Sequence, residues 1–388
     1  MTHTKHSTVN RRPGPESRKA AIFSFFSGGG FLDLGFEDAG FEIVLVNEIY
    51  EPFMRGYQYS RKVLGHPEPR FGFDLASIDT FQSSEKRREL EGQIRTLRDE
   101  GYLIGFIGGP PCPDFSVGGK NRGREGDNGR LSESYTDLIC SAKPDFFLFE
   151  NVKGLWRTHK HRDFYETLKK KFKRAGYETF DRLTNAIEYG APQDRDRIIL
   201  LGFLKPTTDF SVSETDWTRH TTYPGRSAFD LPWPATDGSD SNSRKHRVLP
   251  SELTVKHWFE QNQVNRHPNR RHVFTARAGL SRFQSTLEGD VSRKSYKRLH
   301  RYRYSPTAAY GNNEVHIHPT LPRRITVAEA LAIQSLPGRY ELPSDMTLSA
   351  MFKLVGNGVP YLAARGIAEM ISGLLSRAFP ISKTIRES

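Results

Sequence analysis

The stretch from residue 21 to residue 48 limits most narrowly the folds that this chain can adopt. An apolar run of strand length is followed by three glycines at 28–30, by a helical pattern that closes at Gly40, and by a second apolar strand that ends on Glu48. Glycine lets the backbone approach a ligand closely, and the N-terminus of the following helix favours an anionic group. The stretch is therefore typical of a nucleotide-binding strand, turn, helix and strand.

Two acidic residues extend this pattern. Glu48 lies twenty residues after Gly28, at the position where a carboxylate hydrogen-bonds the ribose hydroxyls of a nucleotide. The spacing fits NAD and equally fits S-adenosylmethionine, and an α/β turn without a ligand remains open. Asp74 follows a further apolar segment, where it is either a partner for the adenine amino group or a turn aspartate.

Further apolar segments predict the rest of a sheet. Strands are expected at 102–107, 145–149 and 197–203, with helical segments such as 163–175 between them. Strands that alternate with helices predict an α/β fold, in which a parallel sheet carries helices on both faces. The alternation ends near Lys205, and regular helical patterning returns only towards the C-terminus.

The charge of the chain predicts a polyanionic partner. Its 57 Lys and Arg outnumber 45 Asp and Glu, and the net charge of +12 favours nucleic acid, although a merely basic protein remains open. Residues 266–303 hold eleven Lys and Arg against two acids, with aromatic residues interleaved. We expect four parts: a basic arm over 1–19, a catalytic and cofactor-binding domain over 20–205, a smaller irregular recognition domain over 206–325, and a C-terminal segment over 326–388 that returns to the catalytic domain.

Composition also narrows the setting of the protein. No run of eighteen apolar residues is present, so no transmembrane helix is expected. Residues 1–19 lack the apolar core of a secretory signal. Only two cysteines occur, which fits a reducing, intracellular environment better than a disulfide framework.

Cys112 is the candidate nucleophile. It follows an apolar strand and stands between two prolines, so its thiol is expected on a rigid loop above the carboxyl end of the sheet. A cysteine attacks as its thiolate, which nearby cations or a helix N-terminus stabilise. Cys140, in contrast, lies within a predicted helix and is expected to be a buried structural cysteine.

Three more side chains complete the candidate catalytic group. Glu150 follows an apolar strand and is expected in the same cleft, where a carboxylic acid can donate a proton to a ring nitrogen. Arg195 and Arg197 stand two apart at the start of a strand, which predicts both guanidinium groups on one face. They can hold a carbonyl oxygen, a phosphate or the carboxylate, and a surface salt-bridge ladder with Asp194 and Asp196 remains open.

Six motifs stand in the order found in DNA (cytosine-5) methyltransferases, and on these motifs the chain resembles that family. They are Phe26-Ser27-Gly28-Gly29-Gly30, Pro111-Cys112, Glu150-Asn151-Val152, Gln193-x-Arg195-x-Arg197, Arg324-Ile325-Thr326-Val327-Ala328-Glu329-Ala330 and Gly356-Asn357-Gly358-Val359-Pro360. The likeness covers residues 20–205 and 298–375. It implies a Rossmann-like sheet in a prokaryotic restriction-modification enzyme, expected to be a cytoplasmic, nucleoid-associated monomer.

The resemblance also implies roles for individual residues. Cys112 attacks carbon 6 of a cytosine, Glu150 protonates or hydrogen-bonds N3, and Arg197 holds the carbonyl oxygen with Arg195 beside it. Carbon 5 takes a methyl group from S-adenosylmethionine, the base is flipped out of double-stranded DNA, and no metal is expected. The cofactor site is expected to be lined by Phe26, Gly28, Gly30, Glu48, Ile49, Asp74, Asn357 and Val359.

Departures from the family pattern keep other functions open. Phe31, Ile49, Pro113 and Ala328 replace residues that are usual in the family, and Pro113 removes a backbone N–H beside the nucleophile. Methylation of cytosine in tRNA would use the same parts, and a catalytically silent DNA-binding relative would keep the fold. An NAD-linked oxidoreductase would explain the glycine turn but not Cys112 or the arginine pair.

Overall fold

The computed structural model of the chain describes residues 19–111, 127–157, 159–234, 236, 249–275, 280–308, 310 and 314–380. Cys112, Pro113 and residues 1–18 of the arm predicted over 1–19 therefore lie outside the described residues. The strands are β1 Ala20–Phe25, β2 Glu42–Asn47, β3 Phe73–Asp74, β4 Leu103–Gly108, β5 Phe146–Val152, β6 Tyr177–Asn185, β7 Asp196–Leu204, β8 Lys297–Arg298 and β9 His316–Ile317.

Helices connect and cover these strands. The α-helices are α1 Phe31–Asp38, α2 Glu51–Leu64, α3 Ser84–Asp99, α4 Asp127–Ala142, α5 Gly154–Arg157, α6 His159–Arg174, α7 Glu214–Thr218, α8 Val255–Gln261, α9 Leu280–Ser285, α10 Val327–Ile333, α11 Leu348–Asn357 and α12 Tyr361–Ala378. Short 3₁₀ helices span Ile78–Gln82, Ala186–Tyr189, Pro224–Asp230, Ser251–Leu253 and Pro268–Arg271.

Seven strands form one sheet in the order β3-β2-β1-β4-β5-β7-β6. Strands β1 to β5 pair in parallel, whereas β7 is antiparallel to both of its neighbours. The α/β fold with helices on both faces is confirmed, but a purely parallel sheet was wrong. The segment between β6 and β7 is too short for a crossover, which needs a dozen or more residues, so β7 returns beside β6 in the opposite direction.

Two hydrophobic layers cover the faces of the sheet. Helices α1, α2 and α12 pack on one face, where Phe36 and Ile367 are buried against Ile22. Helices α3, α4 and α6 pack on the other face. Because the parallel strands all end at the same edge of this sandwich, the loops after β1, β2, β4 and β5 meet there.

The region after β7 is irregular, as its composition predicts. Its described part, from the end of β7 to the start of α10, consists of short helices and the two-residue parallel pair β8–β9. Arg298 is almost fully buried and holds this region together, since its guanidinium donates to the carbonyl oxygens of Thr286 at 2.7 Å and His318 at 2.8 Å. How the chain divides into domains stays a prediction.

Candidate active site

The glycine turn after β1 has a left-handed backbone at three positions. Phe26, Gly28 and Gly30 have φ angles of 53°, 58° and 76°. At Gly28 no atom of the described residues lies within 4 Å of the position of an added Cβ, so among these residues one side of the turn is open. At Gly30 an added Cβ would overlap the ring of Tyr57, so that glycine is required by packing in addition to its φ angle.

Glu48 reaches back to this turn. Its Oε2 accepts a hydrogen bond from the backbone N–H of Gly28 at 2.9 Å, and its Oε1 accepts one from the N–H of Tyr50 at 2.8 Å. Burial raises the pKa of the Glu48 carboxyl, against the lowering effect of these backbone hydrogen bonds. A carboxylate held in this way can accept further hydrogen bonds from hydroxyl groups.

Two apolar side chains stand in solvent beside Glu48. Ile49 is 65% exposed and Leu75 is 50% exposed, and they follow the paired strands β2 and β3. Asp74, which precedes Leu75, accepts a hydrogen bond from Asn47 Nδ2 at 3.0 Å and pairs with Lys86 at 3.2 Å. Sequence reasoning missed Leu75, although an apolar residue directly after the predicted acid was a usable signal.

Glu150 and Arg197 form an ion pair at the same edge of the sheet. Arg197 Nε lies 2.6 Å from Glu150 Oε1, and the two side chains are 15% and 12% exposed. They approach each other because β5 and β7 pair antiparallel, with Val152 opposite Arg197. Glu150, which was expected after a strand, lies inside β5, and the ion pair fixes its carboxylate near the carboxyl end of that strand.

The loop after β4 is attached to β5 next to this ion pair. Asn151 Nδ2 donates to the carbonyl oxygen of Pro110 at 3.3 Å, while its Oδ1 accepts from the N–H of Val152 at 2.8 Å. An added Cβ at Gly109 would lie only 2.6 Å from Glu150 Oε2. The chain therefore enters the segment that contains Cys112 directly beside the Glu150 carboxylate.

Arg195 does not share the contacts of Arg197. It precedes β7 and is 1% exposed, and its guanidinium donates to the carbonyl oxygens of Ala308 at 3.1 Å and Gly356 at 2.9 Å. It also donates to the carbonyl oxygen of Asn357 at 3.3 Å. Arg195 thus joins β7 to the predicted cofactor segment at the end of α11, and its contacts favour a positioning role.

The two remaining predicted cofactor residues flank this junction. Asn357 ends α11 and is exposed, whereas Val359 is 8% exposed. Gln193 supports the same region, since its Oε1 accepts from the N–H of Ala308 at 3.1 Å and its Nε2 donates to Gln334 at 3.1 Å. These buried amides link two of the sequence motifs that lie far apart along the chain.

Comparison with known proteins identifies the family. The sequence model of the C-5 cytosine-specific DNA methylases matches residues 20–373. The chain belongs to this family. It is 54% identical to the Type II methyltransferase M.NmeDI of Neisseria meningitidis serogroup C, over 95% of this chain and 87% of that protein, and 28% identical to M.FnuDI of Fusobacterium nucleatum, over 94% and 98%.

Solved structures show the same fold. A prophage-encoded E. coli protein superposes with a TM-score of 0.64 at 22% identity, covering 92% of this chain and all of that one. The S. pombe Dnmt2 methyltransferase superposes with a TM-score of 0.60 at 13% identity, covering 92% and 99%. The predicted class, a DNA (cytosine-5) methyltransferase of the restriction-modification type, is confirmed.

Within the described ranges, no group of three or more His, Cys, Asp and Glu side chains could hold a metal ion. None of the helices in the part of the chain that is described is long and apolar enough to cross a membrane.

Gly109→Ala is expected to reduce methyl transfer by about tenfold or more without lowering stability appreciably. The new Cβ would press on Glu150 Oε2, the flexible end of a side chain, which can move only by leaving its place beside Arg197, and small displacements of catalytic groups are costly. Steady-state methylation rates and urea unfolding test this. Gly92→Ala in α3, where the added Cβ meets nothing within 4 Å, is the control and should leave activity unchanged.

Arg195→Met is expected to lower the free energy of unfolding by about 3–5 kcal/mol, because it removes the buried donor to the carbonyl oxygens of Ala308, Gly356 and Asn357. Urea denaturation measures the loss. The matched control is Arg98→Met, an exposed arginine of α3 that donates to the carbonyl oxygen of Lys143 at 2.8 Å; it should cost less than about 1 kcal/mol. Equal losses in both variants would contradict the positioning role.

Proposed function

We propose that this enzyme transfers a methyl group from S-adenosylmethionine to carbon 5 of a cytosine within a specific sequence of double-stranded DNA. The observation that carries the proposal is the Glu150–Arg197 ion pair, which lies at the same sheet edge as the Glu48 carboxylate and the glycine turn. A cytosine bound beside Glu150 and Arg197 and a nucleoside bound beside Glu48 and the glycine turn would be neighbours above the carboxyl ends of the strands.

The residues of the first site fit S-adenosylmethionine. Glu48 would accept hydrogen bonds from the ribose hydroxyls, and the exposed side chains of Ile49 and Leu75 would pack on the adenine ring. Asp74 would accept from the adenine amino group. Ser27 Oγ, which is buried and has no partner among the described residues, offers one more polar contact beside the turn.

Three other predicted residues would complete that site. Phe26 would form the floor of the cofactor site. The ring of Phe26 meets the ring of Tyr135 edge-on, with 5.8 Å between the ring centroids. Asn357 and Val359 would contact the methionine portion, and Arg195 holds the backbone that carries them. When bound, the cofactor supplies an electrophilic methyl group, and the residues around it orient that group towards the base.

Catalysis would rest on Cys112, Glu150 and Arg197. The Cys112 thiolate adds to carbon 6, and Glu150 protonates or hydrogen-bonds N3, so that electron density moves to carbon 5. Carbon 5 would take the methyl group as the cofactor leaves as S-adenosylhomocysteine. Solvent water would then accept the carbon 5 proton, and the carbon–sulfur bond would break to release the Cys112 thiolate. Arg197 would orient Glu150 and the carbonyl oxygen of the base.

The base must leave the helix for this chemistry. Carbon 6 of a stacked cytosine is inaccessible to a thiolate on a protein loop, so the cytosine would be flipped into the cleft. The basic region after β7 would recognise the sequence around it. Methylation of this cytosine would protect the DNA of the host against a partner restriction endonuclease.

Affinity for S-adenosylmethionine is expected to fall as the pH drops through the raised pKa of Glu48. The ionised carboxylate accepts ribose hydrogen bonds more strongly than the protonated acid, and because burial raises the pKa, protonation begins at a higher pH than for an ordinary glutamate. Calorimetric titrations at a series of decreasing pH values should show this decline in affinity. Glu48→Gln should bind weakly at every pH, while Glu91→Gln on exposed α3 should follow the wild type.

Transfer of labelled methyl groups to duplex DNA and to tRNA tests the proposed function directly. We expect incorporation into duplex DNA only, and bisulfite sequencing of DNA from cells that express the protein should show one methylated sequence. Incorporation into tRNA alone would replace the proposal by RNA methylation. Incorporation into neither, with DNA binding retained, would indicate a catalytically silent DNA-binding protein.

A further inference from the structure

A cationic surface follows β5 immediately after the candidate catalytic glutamate. Residues 153–162 contain four Lys and Arg and two His, with no Asp or Glu. They form α5 and the first turn of α6. We call the exposed side chains of Trp156, Arg157 and Arg162, together with Lys153, the β5 ridge.

Trp156 is held outwards on the β5 ridge. Its neighbour Leu155 is fully buried and anchors the short helix in the core, whereas Trp156 is 36% exposed. The Arg162 guanidinium lies over the indole at 5.3 Å from the ring centroid, and Arg162 Nε donates to the Trp156 carbonyl oxygen at 3.1 Å. An exposed tryptophan beside arginine is the composition typical of binding surfaces.

Direct contacts link the β5 ridge to the candidate active site. The backbone N–H of Trp156 donates to the Lys153 carbonyl oxygen at 3.1 Å, and Lys153 Nζ lies 2.6 Å from Asp196 Oδ2. Asp196 precedes Arg197, which pairs with Glu150. A molecule whose base reaches Glu150 would therefore pass over the ridge.

Asp196 also forms an ion pair with an arginine of the region after β7. Arg226 Nη1 lies 2.7 Å from Asp196 Oδ1, and Arg226 itself has a left-handed backbone with φ of 66°. Burial alone would raise the pKa of Asp196, but hydrogen bonds from Lys153 and Asn185 and the charge of Arg226 lower it. Asp196 thus carries one negative charge between the two cations Lys153 and Arg226, so the net charge beside the ridge stays positive.

We propose that the β5 ridge is a second DNA-binding surface, on the catalytic sheet, which binds the phosphodiester backbone beside the target cytosine. Arg157 and Arg162 contact phosphate oxygens, for which the planar guanidinium group is well suited. Trp156 packs on a deoxyribose. This inference rests on the proposed function, since it takes DNA as the substrate, and it adds a contact outside the basic region after β7.

The salt dependence of DNA affinity tests the ridge. Each phosphate contact contributes about one unit to the slope of log K against log salt concentration. The double variant Arg157→Ala, Arg162→Ala should therefore lose about two units of slope. The control, Arg88→Ala with Arg95→Ala, removes two exposed arginines of α3 and should keep the wild-type slope. Thermal unfolding of both variants checks that they are folded.

Tryptophan fluorescence provides a second measurement. Of the four tryptophans, Trp217 and Trp258 are each 5% exposed, whereas Trp156 is 36% exposed. The difference between wild type and Trp156→Phe isolates the Trp156 signal, and duplex DNA should protect this signal from acrylamide. Trp156→Ala should weaken DNA binding on the order of tenfold.

The outcomes separate the two proposals. If wild type methylates DNA but the ridge variants match the control in slope and Trp156 stays accessible to acrylamide, the ridge is not a DNA surface and the proposed function stands. If wild type neither binds nor methylates duplex DNA, both proposals fail. A loss of slope in the ridge variant alone supports the ridge.

Discussion

Cys112→Ser is expected to reduce methyl transfer by roughly 10⁴-fold or more, because a serine hydroxyl has no anion available at neutral pH to add to carbon 6. The described chain brings Gly109 and Pro110 beside Glu150 and Asn151. Transfer of labelled methyl groups to duplex DNA is the measurement.

The other cysteine of the chain is the matched control. Cys140 lies in α4, and burial raises the pKa of its thiol to about 11, so it stays protonated and unreactive. Cys140→Ser should keep nearly full activity. DNA containing 5-fluorocytosine should form a covalent adduct with wild type and with Cys140→Ser but not with Cys112→Ser, and an adduct with Cys112→Ser would overturn the assignment.

Glu150→Gln is expected to lower the methylation rate by about 10²–10⁴-fold while leaving the fold intact. An amide can still accept a hydrogen bond from Arg197 Nε, which lies 2.6 Å from Glu150 Oε1, but it cannot deliver a proton to N3. Single-turnover rates with pre-bound DNA would separate this loss from any change in binding.

A distant carboxylate controls for the charge change in this experiment. Glu91→Gln removes one exposed carboxylate from α3 and should leave the rate unchanged. A Glu150→Gln rate within about twofold of wild type would mean that protonation at N3 does not limit the reaction. Titration with S-adenosylmethionine should give equal affinities for both variants, since Glu150 lies outside the proposed cofactor site.

Much of the site could be predicted because its residues follow strands. Apolar runs predicted the bounds of β1, β2, β4 and β7 within one residue, whereas β5 continues three residues beyond its predicted end. Parallel strands bring their carboxyl ends to one edge. The predictions for Glu48 and Glu150 rest on this rule. Strand β6 was missed because it carries polar and charged residues along its partly exposed length, which hides the alternation that predicts a strand.

The arginine pair shows where such reasoning stops. A spacing of two residues predicts a shared face only inside a strand, and β7 begins at Asp196, one residue after Arg195. Arg195 therefore points to carbonyl groups near residues 308 and 356, and Arg197 points to Glu150. No local pattern in the sequence predicts where those carbonyl groups lie relative to Arg195.

The sequence by itself determined the strand ends, the glycine turn, the chemical type of each candidate side chain and the family. These follow from local patterning, in which a residue's neighbours along the chain decide its conformation. Only the tertiary structure decided the Glu150–Arg197 pair, the buried Arg195 junction and the exposed Trp156 beside Arg162. Those contacts join residues 6 to 161 positions apart, so only packing of the whole chain brings their atoms together.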